Sequence, residues 1–232
     1  MRSQIRGLTQ ASANAEDGVS CVQTAEGALA EVHDMLQRMN ELAVKSANGT
    51  NTTADRVAIQ KEINALVSEV NRVSQSTQFN TLNLLDGSFT GKFLQVGAAN
   101  KTEQTIKISI KAMNAAGLGI ASLKDPSLDK TSTATLVTQT GAKSAISLIT
   151  KAIAQISSQR SSLGAIQNRL EHTINNLDNI VENTTAAESA IRDTDMAAAM
   201  VQFSTANIIA QAGQSMLAQS NQSKQGVMSL LQ

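Results

Sequence analysis

The side chains with the widest chemical range are few in this chain. Histidine occurs twice, at His33 and His172, and cysteine once, at Cys21. Each histidine has a carboxylate beside it, Asp34 or Glu171. Neither lies in a zinc pattern such as HExxH, which needs two histidines one helical turn apart. Both are read as exposed helix histidines. A lone cysteine excludes an intramolecular disulfide and cannot build a cysteine-rich zinc site. Cys21 borders an apolar stripe and reads as a small apolar filler, not a reactive thiol. Asp193-Thr194-Asp195 resembles a ligand pair until it is placed between two helical stretches, where carboxylates favour a helix start. No GxSxG elbow, glycine-rich phosphate loop or Cys–His pairing occurs. The sequons at Asn48, Asn51, Asn100, Asn183 and Asn221 are what chance gives in a chain rich in Asn, Ser and Thr. No enzymatic activity, cofactor or metal is expected.

Composition narrows the class. Among 232 residues there is no Trp, no Tyr, and Phe only at 79, 89, 93 and 203. A compact core usually leans on aromatics for buried area, whereas helical rods held by aliphatic seams do not. The formal net charge is zero, so electrostatics favour neither nucleic acid nor an anionic membrane as partner. The start has no charged region followed by an apolar run and a cleavage site, hence no general secretory signal. MRSQIRGLTQAS reads like a helix interior with no cap before it.

Periodicity supplies the elements. Val22, Ala25, Leu29, Val32, Leu36 and Met39 advance in steps of three and four, a coiled-coil seam. That helix, about 1–48, is expected to stop at Asn48-Gly49, with the glycine left-handed beyond the last turn. Thr52 with Asp55 three residues on signals the next helix start. Its stripe, over about 53–77, is Ile59, Ile63, Leu66, Val70 and Val73. So short a link folds the two helices back antiparallel. A third stripe runs through Ile149, Ile153, Ile156, Leu163, Leu170, Ile174, Leu177 and Val181, over about 142–184. Arg160 and Gln167 make its middle polar, and Ile166 suggests a local phase shift.

Between the second and third stripes, about 84–139, Asp86-Gly87, Gly91, Gly97, Asn100 and Pro126 break the pattern. Phe93–Val96 and Ile106–Ile110 read as short strands. From Met196 to Gln232 the one charged side chain is Lys224. That tail is too interrupted by amides to span a membrane, which needs about 20 mostly apolar residues. Amides pair across interfaces without the desolvation cost of ions, so it reads as a helix that orders on assembly. The fold expected is mainly α: an elongated antiparallel three-helix coiled-coil rod, a small β-hairpin-rich cap and a C-terminal helix. The division is 1–184 and 185–232.

These segments resemble bacterial flagellin. QTAEGALAEVHDMLQRMNELAVKSANGT is similar to the helix opening the family's inner filament domain. IQKEINALVSEVNRVSQSTQFN is similar to its second helix, and FLQVGAA to its first hairpin strand. RSSLGAIQNRLEHTINNLDNIVENTTAAESAIRDTDMAAAM and AQAGQSMLAQSNQSKQGVMSLLQ match the C-terminal half. The resemblance implies an extracellular filament subunit for motility, exported unfolded by the flagellar type III system and assembling with other flagellin subunits. It also implies a short form without the variable outer domains and, upstream of Met1, without the family's N-terminal core helix.

The first two helices further resemble the surface that Toll-like receptor 5 recognises in receptor-active flagellins. LQRxxELAV maps Arg38 and Leu42, and QxEI maps Glu62; Asn40 stands where the motif has a second arginine. All three are expected on one outward face. In the tail, Met200, Phe203, Ile208, Ile209, Met216 and Leu217 would face the filament core or, before assembly, a flagellar export chaperone. No nucleic acid and no membrane insertion are expected. Two other readings are the hook–filament junction protein of the same secretion system and a coiled-coil signalling hairpin. The second needs a tight tip between two equal arms.

Overall fold

The structure, a computed structural model, describes residues 1–125 and 136–230. The chain divides into two compact units, Met1–Asn183 and Thr184–Gln232. Its helices are α1 (Arg2–Ala47), α2 (Thr53–Ser76), α3 (Gln139–Arg192) and α4 (Met196–Leu230). Among the described residues four short strands, β1 (Gln78–Phe79), β2 (Leu82–Asn83), β3 (Lys92–Gln95) and β4 (Thr105–Ile108), lie between α2 and α3. That strand-bearing insert is not the tight tip a signalling hairpin needs. The fold is mainly α.

In the first unit α1 is the spine, 46 residues long and so roughly 69 Å at 1.5 Å per residue. All six residues of its expected seam are buried. α3 runs antiparallel to it, and three polar contacts fix the register. Ser12 Oγ donates to Asp178 Oδ1 at 3.0 Å, Arg160 Nη2 lies 3.7 Å from Glu26 Oε1, and Gln139 Nε2 donates to the Ala47 carbonyl at 3.1 Å. The α3 seam passes through buried Ile156, Gln159, Leu163, Ile166 and Leu170. The phase shift at Ile166 is real, and Gln159 enters the seam because its Nε2 donates to the Ser109 carbonyl at 3.1 Å.

α2 packs antiparallel on the C-terminal half of α1. Thr52 and Asp55 form a complete capping box, and hydrogen bonds from Thr52 hold the Asp55 carboxyl below the usual carboxylate range. On α2, Leu66 and Val73 are half-buried, while Val67 and Ser74 are buried. Beyond α2, along the N-terminal half of α1, the β3–β4 hairpin takes its place. Leu94 of β3 packs so close to Gly18 that a Cβ there would meet Leu94 Cδ1 at 2.3 Å, and Asn14 Nδ2 donates to the Gln95 carbonyl at 3.2 Å. The insert is therefore a third layer on α1 rather than only a cap. β3 and β4 are antiparallel with Phe93 opposite Lys107 and Leu94 opposite Ile106. Ile110, expected in the second strand, lies past its end and donates its N–H to the Phe89 carbonyl at 2.9 Å.

The α1 stop corrects one expectation. Asn48 is extended, at φ −66° and ψ 132°, and Gly49 is not among the left-handed glycines. The last carbonyls need no left-handed turn because side chains reach them. Asn51 Nδ2 donates to Lys45 O, Gln139 to Ala47 O, and Arg56 Nη2 to Asn48 O at 3.0 Å. Cys21 is buried, and burial pushes its thiol pKa up, as suits a filler. His172 is exposed, but His33 is half-buried with its Nε2 2.9 Å from Gln37 Nε2.

The β1–β2 turn is built from Asn80 and Thr81, both at positive φ, 46° and 65°. A two-residue hairpin wants this geometry, yet a β-branched residue there is strained. Thr81→Gly is expected to raise stability by roughly 1 kcal/mol, read as a higher denaturation midpoint at unchanged slope. A lower midpoint would show that the turn is held by something other than backbone preference.

The second unit contains α4. Asp195 caps it, its Oδ1 accepting from the N–H groups of Ala197 at 2.9 Å and Ala198 at 3.1 Å. Of the acidic pair before the tail, Asp195 thus serves as a helix start, whereas Asp193 accepts from Ser189 Oγ just past the end of α3. Among the described residues, no helix is long and apolar enough to cross a membrane.

Candidate functional site

Two surfaces carry the residues singled out by sequence. The first is the groove between α1 and α2, a cavity of about 640 Å³ lined by Arg38, Glu41, Leu42, Lys45, Asp55, Ile59 and Glu62, among others. Antiparallel pairing of the two helices puts Arg38 opposite Glu62. Arg38 Nε donates to Glu62 Oε1 at 3.0 Å, and its Nη1 to Glu41 Oε2 at 3.0 Å. Glu62 first, and Glu41 second, raise the guanidinium pKa further. Both members of the Arg38–Glu62 pair are about half exposed, at 52% and 45%. An exposed ion pair contributes little to stability, so the pair is better understood as a preset surface feature. A guanidinium has five N–H donors, and the two carboxylates do not use them all.

Leu42 departs from its expected place. It is 3% exposed, because it follows Met39 by three residues and so continues the α1 seam into the α1–α2 contact. It forms the floor of the groove and is not presented outward. Asn40 is half-buried and does not line the groove.

The second surface is α4. Met200, Phe203, Ile208, Ile209, Met216 and Leu217 are each 57–67% exposed. They do not form one stripe. With 3.6 residues per turn, Met200 and Phe203 share one side, while Ile209 and Met216 lie on the opposite one. A helix apolar on several sides is normally enclosed by several neighbours. Among the described residues no group of three or more His, Cys, Asp or Glu could hold a metal.

The family model for the bacterial flagellin N-terminal helical region matches residues 1–90, and that for the C-terminal helical region matches residues 146–231. A flagellin of Halalkalibacterium halodurans is 48% identical over 231 residues, covering 100% of this chain and 81% of the relative. The chain belongs to the bacterial flagellins. The flagellin of Bacillus subtilis is 47% identical over 256 residues, covering 100% of this chain and 83% of that one. Among solved structures, Bacillus cereus flagellin gives a TM-score of 0.58 at 27% identity, covering 71% of this chain and 88% of its own. A flagellar hook-associated protein from Vibrio parahaemolyticus gives 0.62 at 14% identity, covering 79% of this chain and 92% of its own. At that identity the likeness shows the fold alone. This flagellin is thus a structural subunit of the extracellular flagellar filament, assembling with further flagellin subunits, and not an enzyme.

Proposed function

We propose that this filament subunit is also a ligand of Toll-like receptor 5, bound through the α1–α2 groove around Arg38 and Glu62. The observation that supports it is the shared exposure of these two residues on adjacent helices. The receptor's identity comes from the resemblance of LQRxxELAV and QxEI to receptor-active flagellins. Arg38 offers forked donors of the kind enriched at interface centres, Glu62 offers an acceptor, and buried Leu42 supports the groove from below. Arg38→Ala is expected to weaken receptor binding by about 2 kcal/mol or more, roughly 30-fold in Kd, with helical content unchanged. An unchanged Kd would sink the assignment.

Before assembly the subunit passes through the flagellar type III exporter, and α4 is the segment an export chaperone covers. Supporting this reading, α4 exposes its apolar side chains on opposite sides and carries almost no charge. The hook–filament junction reading has only fold likeness in its favour, whereas the identity to flagellins runs through the whole chain.

A further inference from the structure

Two features of the first unit have no use within their own copy of the chain. One is Phe93. Strand alternation turns Leu94 onto α1, so Phe93 points the opposite way, and it is 66% exposed. Its cross-strand partner Lys107 sits over the ring, with Nζ 5.9 Å from the centroid. Lys107 is itself exposed, making this a basic, aromatic hairpin face. An aromatic ring buries about 150–250 Å² when enclosed, and here that surface is open.

The other feature is Gly27. It lies in the middle of α1, where glycine disfavours a helix relative to alanine. A Cβ there would meet nothing within 4 Å, so packing inside this copy does not require glycine. Its absent side chain leaves a shallow exposed notch on the helix. Glu31, one turn on, and Asp34, three residues further, are exposed along the same side. Among the described residues no ion pair engages either carboxylate. Gly164 of α3 also has nothing within 4 Å of its Cβ position. However, its neighbours at three and four residues are Arg160, Ser161, Gln167 and Asn168, which offer no carboxylate to a lysine.

We propose that these two features meet between subunits: Phe93 of one copy seats in the Gly27 notch of a second, with Lys107 facing Glu31 and Asp34. The occupant is a second copy because this chain assembles with itself, and because the basic aromatic knob and the acidic notch complement each other in charge. Within one copy they cannot meet, since the hairpin presents Leu94 and not Phe93 to α1. The proposal rests on the filament reading and specifies one contact within it.

The test uses the whole flagellin, grown on sheared filament seeds, with the critical concentration read by sedimentation and electron microscopy. Gly27→Ala is expected to raise the melting temperature of the monomer by a few degrees, alanine being the better helix former. It should nevertheless raise the critical concentration about 10-fold, because the notch is filled. Lys107→Glu and Glu31→Lys should each raise it by a similar factor, and the two together should return it to within about threefold of the wild type. Circular dichroism of each monomer checks the fold. A Gly27→Ala chain that assembles as well as the wild type would overturn the proposal. So would a double charge swap no better than its single members. Wild-type growth on the same seeds separates either failure from a failure of assembly itself.

Discussion

Gln60→Leu is expected to lower the stability of the Met1–Asn183 unit by about 2–5 kcal/mol, one of the largest effects available to a single polar side chain here. Gln60 is fully buried on α2. Its Nε2 donates to the Leu123 carbonyl at 2.7 Å and to Asn64 Oδ1 at 2.9 Å. Its Oε1 accepts from the Leu136 N–H at 2.8 Å. One amide thus satisfies backbone groups of Leu123 and Leu136, both buried, on either side of residues 126–135. Asn64, one turn on, does the same for Asp125, donating to its carbonyl at 2.7 Å and accepting from its N–H at 3.0 Å. Leucine fills similar space but leaves the Leu123 carbonyl and the Leu136 N–H without partners. Each buried unsatisfied group costs about 1–3 kcal/mol. Urea unfolding should show a lower midpoint at an unchanged slope. A loss below about 0.5 kcal/mol would mean that water replaces the amide.

Gln60 also marks a limit to what the sequence alone specifies. The α1 seam was fully legible because helices pack on it in regular antiparallel fashion, and a three–four repeat describes such contacts. The α2 seam was half legible. That helix meets α1 on one side and the insert on the other, which widens its buried arc past Leu66 and Val73 to Val67, Gln60 and Ser74. A buried amide or hydroxyl is indistinguishable in sequence from an exposed one. Its burial depends on a backbone group brought from far along the chain, as with Ser74 Oγ donating to the Leu85 carbonyl at 2.9 Å or Ser46 Oγ to the Leu136 carbonyl at 2.6 Å. The insert was legible only as strand-sized runs. Its placement along α1 is set by Gly18 and Leu94, a steric fit that no periodicity records.

The groove shows the same limit on the functional side. Arg38 and Glu62 are 24 residues apart, and their meeting follows from the antiparallel turn at 48–52, which was legible. The receptor motif places Leu42 outward, although its own spacing from Met39 places it in the seam. Here the periodicity was the better guide: three residues after a buried seam position, a leucine continues inward. The Gly27 notch would have been findable as a glycine inside a strong helical pattern, a combination that usually has a packing or functional reason.

α4 carries the largest expected effect of all. Phe203→Asp combined with Ile209→Asp is expected to abolish filament growth on seeds while leaving the Met1–Asn183 unit folded. Both residues are more than 60% exposed in the single chain and lie more than a right angle apart around the helix. Enclosure by several neighbours therefore buries both. Each such burial contributes about 1.5–3 kcal/mol, and a carboxylate in its place adds a desolvation cost. Interfaces repeat at every added subunit, so a combined loss above about 4 kcal/mol raises the critical concentration roughly 1,000-fold. The N-terminal unit does not depend on α4 for its core, so its thermal transition should not move. The same variant should lose affinity for the export chaperone if that partner covers α4, as measured by titration calorimetry against the wild-type chain. Filaments growing at the wild-type critical concentration would place the assembly contact elsewhere. Retained chaperone affinity would move that site off the apolar surface of α4.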